Sequence, residues 1–348
     1  MPFRRSHRGL LKILMLGAVL AGCAAPPKAP PPPPPVTVPT VSLSPQVIQL
    51  ASAYRYYLAR GSAIAPDFAD GDGISRSVQS GAAYEPSQLV RGAIAYAAVV
   101  ALQDKAFVEG VRVYARESSQ RREVINELLK NPAYVAGLSG SASAAGLVIA
   151  NLGTDAQRLY DVGKAVKQSA YDLQKQPWSK ADVNGRDLRL AAVKSVSVTS
   201  MTGEVAETAR LQQMSMALPS AAVSVPPVSP PYAPTVTRGL AIGALAVLAE
   251  ARDSDMATVS GLMSDANITG CLSSAKLNLY QCLAVARPYY EDVFCLGQHA
   301  LMDTGRCMIR ATGLPEPYEA RFVPDASSIN KGMGKKPPVR KKPARRVS

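Results

Sequence analysis

Tyr84 to Leu102 reads YEPSQLVRGAIAYAAVVAL, and from Gly92 to Leu102 it holds no charged residue. Extended to Arg116, the stretch keeps apolar residues three and four apart, the period of a helix face. Its middle is apolar nearly all round, as in a helix buried on most sides. The pattern returns from Tyr232 to Glu250 as YAPTVTRGLAIGALAVLAE: Tyr, Pro, Arg-Gly and the Ala-rich run come in the same order, one residue shorter. A looser echo links LYDVGKAVKQSAYD (Leu159–Asp172) to YEDVFCLGQHALMD (Tyr290–Asp303). The expectation is therefore an all-α chain of two related helical units that can stack as helical pairs.

The segments between fit this reading. SSQRREVINELLKNP (Ser118–Pro132) predicts a helix capped by Ser118 or Ser119 and stopped at Asn131-Pro132. Ala133–Gly153 is uncharged, and Ala136, Gly140 and Ala144, with Gly137, Ser141 and Ala145, set small residues every fourth position, suiting close helix approach. Its modest hydrophobicity predicts a core helix, not a membrane span. Thr154–Gln176 predicts a separate amphipathic helix capped by Thr154 or Asp155. Leu188–Met214 reads as continuing helix, with Val193–Met201 also compatible with a strand. Low aromatic content, 6% against 47% hydrophobic residues, favours close-packed helices over a β-sandwich.

At the amino terminus Arg4, Arg5, Arg8 and Lys12 form a basic region, and Leu10–Leu20, interrupted only by Lys12, is an apolar core too short for a permanent span. Leu20-Ala21-Gly22-Cys23 follows and resembles the lipobox of bacterial lipoproteins. The resemblance implies cleavage before Cys23, diacylglyceryl modification of its thiol and a stable acyl anchor. Ala24, where inner-membrane lipoproteins often carry Asp, implies sorting to the outer membrane, on its periplasmic or surface side. Pro26–Pro35, with six consecutive prolines, predicts a polyproline II stalk. At about 3.1 Å per residue, the linker to Ser44 reaches at most about 60 Å. A PxxP ligand is the alternative use of these prolines.

The expected organisation is a leader at 1–22, a proline-rich linker at 23–44, a helical unit at 45–217, a second proline-rich linker at 218–236, a helical unit at 237–325 and a basic tail at 326–348. The net charge of +13 is misleading. The leader holds four basic residues and the tail eight (Lys331, Lys335, Lys336, Arg340, Lys341, Lys342, Arg345 and Arg346), neither holds an acid, and only +1 is left for the rest. A nucleic-acid partner is not expected, because the basic face of such a protein belongs to its fold. The tail suits attachment to anionic envelope surfaces, or serves only solubility.

Cys271, Cys282, Cys295 and Cys307 predict two disulfides in an exported chain. Cys271 and Cys282 lie three helical turns, about 16 Å, apart. A helical hairpin with its turn near Pro288 fits a nested pairing, Cys282 with Cys295 and Cys271 with Cys307; sequential pairing is the alternative. Cys295, His299, Asp303 and Cys307 recur every four residues and could ligate zinc, but the oxidising compartment favours disulfides. Asp67, Asp70 and Asp72, in DFADGDG, lack the later ligands of a calcium loop and read as a solvated turn. No metal or other cofactor is expected. No phosphate-binding glycine loop, GxSxG or HExxH occurs, and no catalytic residue is assigned. The functional expectation is a non-enzymatic envelope scaffold or interaction module with a protein partner. The alternatives are a helical binder of a peptide or glycan and a periplasmic hydrolase.

Overall fold

The computed structural model describes residues 41–216 and 225–318. Thirteen α-helices and no strand occur among these described residues. They are α1 (Pro45–Ser62), α2 (Gly71–Ala82), α3 (Pro86–Ala101), α4 (Lys105–Arg112), α5 (Ser118–Lys130), α6 (Ser141–Leu173), α7 (Arg186–Val198), α8 (Val205–Met216), α9 (Pro234–Val247), α10 (Met256–Leu262), α11 (Ala266–Val285), α12 (Tyr289–Cys295) and α13 (Asp303–Thr312). A π-helical turn, Leu296–Met302, joins α12 to α13.

Local chemistry sets the helix starts. Ser44, Asp70, Glu85, Asp104 and Asp265 each accept a backbone N–H of the first turn. Prolines at the openings of α1, α3 and α9 cost nothing, because those N–H groups have no helical partner.

The echoed helices α3 and α9 form the centre of the core. In α3 every residue from Gly92 to Ala101 is buried, and in α9 every residue from Gly239 to Val247. They lie so close that a Cβ on Gly239 would collide with the Ala97 side chain. The helices of the second echo also face each other: α6 runs against α12, the π turn and α13. A Cβ on Gly163 would lie 2.6 Å from the backbone nitrogen of Met302. The described residues thus belong to one compact unit, and the stretches expected as helical units at 45–217 and 237–325 share a single core.

Several local expectations are corrected. The helix expected from Ser87 to Arg116 stops at Ala101, and Asp104 caps a new helix, α4. Glu117, not Ser118 or Ser119, caps α5. The small-residue stripe before Ser141 is a 3-10 turn, Pro132–Gly137, followed by Gly140 at φ +81°, a conformation glycine adopts without strain. Beyond it the two helices expected to divide at Thr154 are one, α6, of 33 residues. Thr154 donates back to the Ala150 carbonyl instead of capping, and Asp155 pairs with Arg55. The Val193–Met201 strand option gives way to helix through Val198, and the chain leaves helix at 199–204 before α8. No helix among the described residues is long and apolar enough to cross a membrane.

The segment just before α1 is tied into the body. Leu43 is buried, the Ser44 N–H donates to the Ala251 carbonyl at 2.7 Å, and the Ser44 hydroxyl donates to Asp253.

Candidate functional site

The hairpin α11–α12–α13 carries the cysteines. Cys271 is bonded to Cys307 and Cys282 to Cys295, with Cα atoms 5.8 Å and 5.7 Å apart. This is the nested arrangement: one bridge beside the turn, one at the open end. The stripe through His299 and Asp303 resolves into separate pairs. His299 Nδ1 lies 2.8 Å from an Asp303 carboxylate oxygen, whose other oxygen accepts from Gln298 at 3.0 Å. No group of three or more metal-ligating side chains occurs among the described residues. In DFADGDG, Asp70 is the cap of α2, accepting the Gly73 N–H at 2.7 Å.

A buried polar hub joins the two halves at the carboxyl end of α2. Three side chains from three helices donate to its last carbonyls: Tyr57 of α1 to Gly81 at 3.0 Å, Ser197 of α7 to Ala82 at 3.0 Å, and Lys276 of α11 to Ala82 at 2.6 Å. A cation at this end of a helix meets the negative pole of its dipole. The Lys276 ammonium also sits 3.9 Å from the centre of the Tyr84 ring. Burial lowers the pKa of Lys276 to about 7, with Glu85 pulling it the other way. Tyr84 is held in turn by Thr304, with the two hydroxyls 3.0 Å apart.

A second buried pair ties α7 to α12. Arg189 bonds both Asp292 and the Leu283 carbonyl, while its Nε finds no partner. Burial pushes Asp292 up to about 6, against the pull of the guanidinium. Lys276 and Arg189 were missed in the sequence. Lys276 is the only charged residue of α11, and that was the available signal; Arg189 shares α7 with Arg186, Asp187 and Lys194 and offered none.

Two of the solvent-open clefts among the described residues have walls suited to a ligand. One, of about 1020 Å³, runs between α1, α3 and α8, with Gln46, Gln49 and Gln212 among its lining residues. Its wall is strapped by polar contacts. The Gln88 side-chain amide pairs with both the N–H and the carbonyl of Met201, each at 2.7 Å, and Thr208 donates to Ser52 at 2.8 Å. Arg55 of α1 reaches Asp155 of α6 and Glu207 of α8. The other cleft, of about 470 Å³, lies between the end of α6, the end of α11 and α12, with the Cys282–Cys295 bridge in its wall. Cys23 and the tail cations Lys331–Arg346 lie outside the described residues.

No family model matches this chain, and neither a curated protein nor a solved structure matches it.

Proposed function

We propose that this protein is a lipoprotein of the bacterial outer membrane whose helical body, carried on a proline stalk, works as a non-enzymatic interaction module. The observation that carries the reading is the succession of Leu20-Ala21-Gly22-Cys23 and the prolines Pro26–Pro35 immediately before a folded body. An acyl anchor and a stiff spacer serve a module that meets partners away from the bilayer surface. The cleft between α1, α3 and α8 suits a protein partner. Its glutamine amides both donate and accept, as the backbone of an extended segment requires, and Gln46 and Gln49 in its lining belong to the first turns of α1. The basic tail adds electrostatic attachment to anionic envelope material.

The test is fractionation of envelopes with Cys23→Ala, combined with crosslinked pull-down from intact cells. The expected result is an exported, unlipidated protein released by washing. A Cys23→Ala protein that stays in the outer membrane after a high-salt wash overturns the lipid anchor. A parent protein that crosslinks to no envelope component overturns the interaction role.

A further inference from the structure

We infer that the cleft beside the Cys282–Cys295 bridge is a binding subsite for a pyranose ring of a non-acidic glycan. It combines Tyr171, Tyr290 and Phe294 with Val285, Gln174 and Glu291 in a space of about 470 Å³, within the range of small-ligand sites.

The aromatic wall is fixed before any ligand arrives. Tyr171 stands edge-on to Phe294, with ring centres 6.4 Å apart and planes at 81°. The disulfide locks α11 to α12, and so joins the helix of Val285 to the helix of Tyr290 and Phe294 in the wall of one cleft. Pre-organisation of this kind lowers the entropy cost of binding.

Exposure and charge select the ligand. Tyr171 is 46% exposed and Val285 75% exposed, so the shelf is apolar but open. A purely apolar ligand gains little there, because much of its surface stays in water. A pyranose has an apolar C–H face to lay on the rings and a polar edge that prefers to remain hydrated. The one charged side chain in the lining is Glu291, which disfavours an anionic ligand. Hydroxyl groups donate and accept at once, and the Gln174 amide and Glu291 carboxylate offer both complements. This inference rests on the folded body alone and stands separately from the lipid anchor and from the cleft beside α8.

The test uses the full mature chain in a non-glycosidic detergent, titrated by ligand-detected saturation-transfer NMR. The probes are a β-1,4-linked tetramer of N-acetylglucosamine and the matching tetramer of glucose, which together report whether an acetamido group contributes. A single aromatic shelf should bind with a Kd on the order of 1 mM. Tyr171→Ala should weaken binding about tenfold, while Tyr171→Phe, which keeps the ring, retains it. Gln174→Leu should cost about threefold or more through the lost hydroxyl partner. Both sites lie at the surface, so an unchanged melting temperature certifies the fold of each variant. The inference is overturned if neither tetramer binds at about 10 mM, if Tyr171→Ala binds as well as the parent, or if N-acetyl-leucine amide binds more tightly than either sugar through Tyr171.

Discussion

Lys276 shows how one side chain can make stability depend on pH. Its pKa is lowered to about 7 in the folded chain, below the value near 10.5 of a free lysine. Below pH 7 the group is charged in both folded and unfolded states, and the fold bears the full cost of the buried charge. Between pH 7 and about 10.5 the unfolded chain binds the extra proton, so this group's contribution to stability rises with pH. The urea midpoint of the parent should therefore rise across this window relative to Lys276→Met, and parallel profiles would remove Lys276 from the account. Asp292 behaves differently, because its partner cannot give up its charge. Asp292→Asn strands Arg189 in the interior and should cost about 3–5 kcal/mol, whereas the double change Arg189→Met/Asp292→Leu should recover most of that. A double-mutant cycle by denaturant unfolding measures both; a single variant as stable as the parent would contradict the pairing.

At the level of elements, the hairpin's two bridges close loops of different size. The sequence separations are 36 residues for Cys271–Cys307 and 13 for Cys282–Cys295. On the loop-entropy account each contributes about 3–4 kcal/mol, the larger loop about 1 kcal/mol more. Removing Cys271 and Cys307 together should lower the unfolding midpoint further than removing Cys282 and Cys295; the reverse order would show that native packing, not loop closure, governs the hairpin. The nested pairing was legible because Pro288 marks the turn and eleven residues of helix hold Cys271 away from Cys282. The joining of α6 was not legible. Thr154 and Asp155 are good caps by type, but a cap also needs the chain before it to leave helical geometry, and Ala150–Gly153 does not. Nor could periodicity show that Lys276 points inward, since its role depends on Ala82, 194 residues away.

For the whole molecule, the echo between Tyr84–Leu102 and Tyr232–Glu250 foretold more than repetition. It picked out the helices that meet at the centre, where small residues are needed for contact. The aromatic cleft escaped notice because Tyr171 and Phe294 come from helices that only the fold brings together. The charge distribution supports a further expectation about the intact protein. Deleting Lys331–Ser348 should leave the melting temperature unchanged and reduce binding to anionic vesicles at low salt, a difference that fades as salt screens the tail. Equal vesicle binding with and without the tail would leave it no electrostatic role.

The junction at Leu43 and Ser44 has a mechanical consequence. A pull applied ahead of Val41 does not peel α1 away turn by turn. It is passed at once to Ala251 and Asp253, in the loop between α9 and α10, more than two hundred residues further along the chain. Traction is thereby shared between both halves of the core at the point of entry.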